Sequence, residues 1–170
     1  EIIDRPSEVT DAPGARPLAA VRGQVRYEGV SFGYSHLERP VVAKIEIEAK
    51  PGETIALLGA TGSGKTTILH LLPRFYDATA GVIEIDSVDV RRYNLRALRE
   101  QMGLVPQDTF LFGGTVRDNI RFGRPGASDA EIERAARDVG AHEFIANLPD
   151  GYDTEVHERG VSLSVGQRQL

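Results

Sequence analysis

"GATGSGKTT", Gly59–Thr67, follows the apolar run Thr54–Leu58 and leads into Lys65–Leu72, where Ile68, Leu71 and Leu72 share one helical face before Pro73 closes the element. The stretch fits G-x-x-x-x-G-K-[S/T], and a strand on one side with a helix on the other is the setting in which that pattern has physical meaning. Glycines let the loop curl until successive backbone N–H groups point inward, and the helix that starts near Gly64 adds the positive end of its dipole. The loop residues Gly59, Ala60, Thr61, Gly62, Ser63, Gly64, Lys65, Thr66 and Thr67 are therefore the candidate phosphate cradle. Lys65 is placed to reach β- and γ-phosphates as a mobile charge and is the first candidate catalytic residue. The Thr66 hydroxyl is placed to ligate Mg²⁺.

Outward from this loop the chain reads as a mixed α/β protein. Val25 and Tyr27 share one strand parity and Val30, Phe32 and Tyr34 the other, which predicts one strand with a bulge at Gly29. Ile45–Glu48 alternates and ends at Pro51-Gly52. Thr54–Leu58 is apolar on both faces, as a central parallel strand would be. Val82–Asp86 and Met102–Val105 read as further strands, and Leu95–Gln101 as a short helix. From Thr115 onward the pattern turns helical. Thr115-Val116-Arg117-Asp118 and Ser128-Asp129-Ala130-Glu131 both carry the spacing of a capping box. Residues 1–20, with Pro6, Pro13, Pro17 and Gly14, read as an extended linker rather than a packed element.

The 170 residues are 41% apolar and 26% charged, enough for a substantial core, and carry a formal net charge of −5. That charge, with no long Lys/Arg run, argues against a dedicated nucleic-acid surface. There is no cysteine, and His36, His70, His142 and His157 sit at no ligand-like spacing, so they read as surface or packing residues. No apolar run approaches the ~18 residues of a membrane-spanning helix.

A phosphate loop alone leaves kinases, GTPases, helicases and transport ATPases open. Two later stretches narrow the choice: "VPQDTFLF", Val105–Phe112, and "LSVGQRQ", Leu163–Gln169. In their order and spacing after the loop, from about Gln24 onward, the chain resembles the nucleotide-binding domain of an ABC transporter. "LPRFYDATAGVIEID", "GGTVRDNIRFG" and "LPDGYDTEVHERG" are similar to its exporter branch. The resemblance implies a P-loop NTPase core with an antiparallel β subdomain and a helical subdomain at about 113–170, following a linker at 1–20 from a membrane-spanning region. It also implies that the C-terminal part of the core lies beyond Leu170.

The same resemblance assigns roles. Tyr34 becomes the aromatic residue that stacks on adenine, although by strand parity it equally reads as one more core aromatic. Gln107 becomes the glutamine that contacts Mg²⁺ and the attacking water, against a plain reading as a loop residue after a strand. Ser164, Gly166 and Gln167 become part of the signature that closes on a nucleotide held by a second domain. Their S-x-x-Q spacing also reads as a helix start, and the two readings are compatible. Phe110–Phe112 would border a membrane domain or simply fill a core, and Glu155–Gly160, by itself readable as a solvated charged loop, would sense the partner's coupling region. His157 and Val165 stand where the family commonly has glycine.

The expected function is accordingly ATP binding, with Mg²⁺, and in the complete protein ATP hydrolysis that powers export through head-to-tail dimerisation. The partners would be a second nucleotide-binding domain and a transmembrane domain, placing the chain at the cytoplasmic face of a plasma or inner membrane. The runner-up is an ATP-binding regulatory or structural module without hydrolysis. In the resembled family the metal-binding Asp, catalytic Glu and switch His follow the signature, so residues 1–170 alone are expected to be inactive. Asp86, which ends Val82–Asp86, is the best upstream carboxylate, but Glu84 makes that strand half-buried.

Overall fold

The computed structural model describes residues 7, 9–18, 20–35, 39–156 and 163–169. They fall into two compact units, Glu1–Gly103 and Leu104–Leu170. The first is built on an antiparallel sheet of order β2-β1-β3-β4, with β1 Val25–Phe32, β2 Val42–Ala49, β3 Ala80–Ile85 and β4 Val88–Asp89. In β1 the buried positions shift from Tyr27 to Val30 and Phe32, and the register against both neighbours slips across Gly29, which has φ 60°. The bulge stands where parity placed it. Its backbone N–H donates to Glu46 Oε1 at 2.8 Å. Asp86 and Ser87, both at positive φ, make the two-residue turn from β3 to β4, a combination that matches the right-handed twist of a hairpin.

Helix α1, Lys65–Leu71, closes this core by burying Leu71 among Tyr27, Val30, Phe32, Val42, Ile83 and Ile85. The Tyr27 hydroxyl donates to the Ile68 carbonyl at 2.9 Å, so the buried phenol is satisfied. Helix α2, Leu95–Glu100, buries Leu98 against the same core and is capped by Asn94, whose side chain accepts from Ala97 N–H. The described part of residues 1–20 has no regular structure, yet it is packed, against the expectation from its composition. Arg16 bridges Tyr93 in parallel, with N–H to Arg92 O at 3.0 Å and Asn94 N–H to Arg16 O at 2.9 Å. Leu18 and Val21 pack on the core.

Two expected strands are absent. Thr54–Leu58 and Met102–Val105 pair with no strand among the described residues. Ile55 and Leu58 are 43% and 94% exposed, and Val105 85%. A run apolar on both faces is buried only when it has ladder neighbours and a covering layer on each side. The antiparallel sheet, with one core face and one charged face, supplies neither.

The second unit is a small helical cluster. It comprises β5 Gly114–Thr115, α3 Val116–Arg121, α4 Asp129–Asp138, α5 His142–Ala146, β6 Glu155–Val156 and α6 Val165–Gln169, with β5 and β6 paired antiparallel. Val116, Ile132, Ala136, Ala141, Ile145, Tyr152, Val156 and Leu163 form its core. Both capping boxes read from spacing are present at Thr115 and Ser128. Arg117 lies over the Tyr152 ring and pairs with Asp129 and Asp153. His142 Nδ1 meets the Tyr152 hydroxyl at 2.8 Å, a packing role as expected. His36 and the loop from His157 to Gly160 lie outside the described residues.

Candidate functional site

The loop Gly59–Gly64 curls around the side chain that follows it. Lys65 Nζ donates to the Gly59 and Ala60 carbonyls at 2.9 and 2.8 Å and to Ser63 Oγ at 3.3 Å. The ammonium is thus held at the centre of the loop by neutral acceptors, which a phosphate oxygen can displace with a full negative charge. Gly64, the N-cap of α1, has φ 90° and offers no side chain to the first turn, which also has no acidic residue. Helices α3 and α4 differ: Asp118 and Glu131 already occupy their N-termini. Of these, α1 is the one whose first N–H groups are left for an outside anion.

Gly64 is required by contact, whereas Gly59 is confined only by a hydroxyl that can rotate away. A Cβ on Gly64 would lie 2.6 Å from Val42 Cγ1 and 3.2 Å from the Val41 carbonyl; one on Gly59 would lie 2.7 Å from Ser63 Oγ. The entry of β2 at Val41 and Val42 therefore presses on the loop at Gly64. Thr66 is exposed while Thr67 is buried. The Thr66 hydroxyl, a neutral oxygen at the loop's edge, suits Mg²⁺, which takes few protein ligands and several from phosphate and water. Among the described residues no three His, Cys, Asp or Glu side chains gather as a metal site of their own.

Tyr34 packs as a core aromatic and also faces open space. Its ring stands edge-on to Phe32 at 4.9 Å and to Tyr76 at 5.1 Å, as a core aromatic would. It is nevertheless only half-buried and lines a cavity of about 550 Å³ with Val9, Gly33, Ser35, Tyr76, Asp77 and Thr79. Its hydroxyl is 3.3 Å from Thr67 Oγ1, so the cavity adjoins the helix that carries the phosphate loop. Val9, Asp77 and Thr79 were not legible as site residues; no motif marks them, and Val9 is 25 residues before Tyr34 in a proline-rich stretch.

Asp86 is excluded as a free carboxylate. It accepts from Arg22 N–H at 2.7 Å and Gln24 N–H at 3.0 Å. Desolvation pushes its carboxyl up, but these N–H groups and the Arg22 charge outweigh it and hold the carboxyl below its ordinary value. The residue ties the turn after β3 to the entry of β1.

In the second unit Gln107 is exposed in the segment before β5, and Phe110 and Phe112 are exposed with it, in an aromatic group completed by Phe122. Neither phenylalanine fills a core, while Leu111 between them packs, partly buried, against the core of the second unit. Ser164 and Gln167 cap α6 reciprocally: Ser164 N–H donates to Gln167 Oε1 at 2.9 Å and Gln167 N–H to Ser164 Oγ at 3.2 Å. The helix-start reading of S-x-x-Q is thereby realised, with Gly166 exposed beside it.

A glycine-rich loop of the G-x-x-x-x-G-K-T pattern leading into α1, beside an antiparallel sheet and with a separate helical unit, defines the class: an α/β domain of the P-loop NTPase kind. The family follows from comparison. The model of the family described as "ABC transporter" matches residues 42–170. "Putative multidrug export ATP-binding/permease protein" of Staphylococcus aureus is 46% identical over 169 residues, 99% of this chain and 29% of that protein. "Uncharacterized ABC transporter ATP-binding protein YknV" of Bacillus subtilis is 47% identical over 170 residues, 100% of this chain and 28% of that protein. A solved structure titled "Structure of a bacterial Atm1-family ABC exporter with ATP bound" superposes with a TM-score of 0.91 at 44% identity, over 98% of this chain and 29% of that one. The chain belongs to the ABC transporter family, and it spans under a third of the length of these relatives.

Proposed function

We propose that this chain is the ATP-binding part of an ABC exporter, and that in the whole protein it hydrolyses ATP to power export. The observation that carries this reading is the Lys65 ammonium held by three loop oxygens at the uncapped start of α1. Phosphates would take the place of those oxygens, with the backbone N–H groups of 59–67 as the main cradle. Tyr34 would support the base, its hydroxyl-side neighbour Thr67 linking base cavity to loop. Thr66 and Gln107 would hold Mg²⁺, which neutralises charge between the β- and γ-phosphates. Gln107 would also orient the attacking water.

Ser164, Gly166 and Gln167 would meet the γ-phosphate of a nucleotide held by a second domain, so that two domains close head-to-tail on two ATP molecules. ATP loss of its γ-phosphate then releases that grip, and the cycle drives membrane helices between states. The aromatic group at Phe110, Phe112 and Phe122 suits a contact with such a membrane domain. Residues 1–20 would connect to it, placing the domain at the cytoplasmic face of the membrane. Residues 1–170 by themselves are proposed not to turn ATP over.

The test is association. ATP with Mg²⁺ should shift the protein's domains to a closed pair in cross-linking or sedimentation, ADP should not, and Ser164→Glu, which sets a negative charge at the γ-phosphate position, should abolish the shift. Association equal with ATP, with ADP and in Ser164→Glu would overturn the reading.

A further inference from the structure

The proline-rich segment before β1 is fastened to the first unit by side chains far from it in sequence. Asp11 accepts from Leu95 N–H at 2.7 Å through Oδ1 and from the Asn94 side-chain amide through Oδ2, adding a second cap to α2. Arg74, 3% exposed, donates through Nη2 to the Thr10 carbonyl at 3.3 Å. The same arginine is fixed by a two-pronged pair with Asp77, Nε to Oδ1 at 2.7 Å and Nη2 to Oδ2 at 2.9 Å. Arg16 completes the fastening through its backbone bonds to 92–94, and its guanidinium lies over the Tyr93 ring.

These bonds deliver Val9 to a particular place. It lines the Tyr34 cavity, together with Asp77, the residue that holds Arg74. Polar tethers directly following an apolar residue that faces a half-open aromatic cavity suit a wall of a ligand site: the tethers fix position, and the apolar group contacts a flat ring without a desolvation cost.

We propose that the segment Val9–Arg16 is part of the nucleobase site, with Val9 as a contact residue for the base and Asp11 and Arg74 as the positioning residues that hold it there. The proposal rests on the reading of Tyr34 as the support for the base. It adds a specificity element from outside the phosphate loop and its following helix.

The experiment is isothermal titration of the intact protein with Mg²⁺-ATP and with Mg²⁺-tripolyphosphate, which carries the phosphates and no base. Val9→Gly removes the contact, and Asp11→Ala releases the segment at an exposed position that leaves the core untouched. Each is expected to weaken ATP about five-fold, a typical loss for one apolar side chain, and to leave tripolyphosphate unchanged. Asp11→Asn, which keeps an acceptor for Leu95 N–H, should restore ATP affinity to within about two-fold. Tyr34→Ala separates the two claims. If Tyr34→Ala loses ATP selectively over tripolyphosphate while Val9→Gly and Asp11→Ala bind ATP as the parent does, the proposal fails and the base-site reading stands. If Tyr34→Ala shows no selective loss, both fall.

Discussion

Gly64→Ala tests the phosphate loop at the point where the fold constrains it most. Two costs combine there. At φ 90° an alanine sits in the left-handed region, which costs about 1–2 kcal/mol for a residue with a Cβ. The new methyl would also lie 2.6 Å from Val42 Cγ1 and 3.2 Å from the Val41 carbonyl. Val42 is buried and β-branched, so it has no spare rotamer to move into, and overpacking of this kind costs about 1–3 kcal/mol. The expected destabilisation is therefore about 2–5 kcal/mol. Gly62→Ala provides the calibration: φ is 81° but no atom lies within 4 Å, so only the backbone term applies, about 1–2 kcal/mol. Urea unfolding followed by circular dichroism reads both. Gly64→Ala should also bind ATP at least ten-fold more weakly even where it remains folded, because relief of the clash displaces the start of α1. Equal destabilisation of the two variants, or Gly64→Ala with unchanged ATP affinity, would refute the claim that the entry of β2 presses on the loop at Gly64.

Tyr34→Phe should keep ATP affinity within about two-fold, because the ring remains and one hydroxyl contact is lost, whereas Tyr34→Ala should lose about ten-fold, the scale of one base–aromatic contact; fluorescence titration distinguishes them. The capping box of α4 sets a pH dependence. Glu131 is held down to about 2 by the Ser128 backbone N–H and hydroxyl, with Arg124 adding to the effect. A depressed folded-state value means that its contribution is present above the unfolded value near 4.5 and is lost as pH falls through about 2. Hydrogen exchange in the first turn of α4 should accelerate across that window, and Glu131→Gln should flatten the dependence there.

What was legible in the sequence was local. The Gly29 bulge shows as a parity change within eight residues, and the Thr115, Ser128 and Ser164 caps show as four-residue spacings, because each is made by neighbours in the chain. The phosphate loop is of the same kind: nine residues contain its glycines, its lysine and its hydroxyls. The docking of residues 9–18 was not legible. Asp11 bonds Leu95 across 84 positions and Arg74 bonds Thr10 across 64, and no window of local periodicity connects them. Thr54–Leu58 fails for a related reason. Its apolar residues record that a strand there needs cover on both faces, while whether cover is present depends on elements distant in sequence. Tyr34 stood between two readings because strand parity reports which face a ring takes and says nothing of whether that face is fully closed.

Lys65→Ala gives the most direct test of the central claim that Gly59–Thr67 binds the phosphates of ATP. Binding of Mg²⁺-ATP to the intact protein is measured by isothermal titration, with circular dichroism to confirm that the variant is folded. Lys65 makes its side-chain bonds to its own loop, so the fold should survive its removal. The account predicts a loss of at least a hundred-fold in ATP affinity, the scale of a charge-assisted phosphate contact. A folded Lys65→Ala protein that binds ATP as tightly as the parent would contradict it.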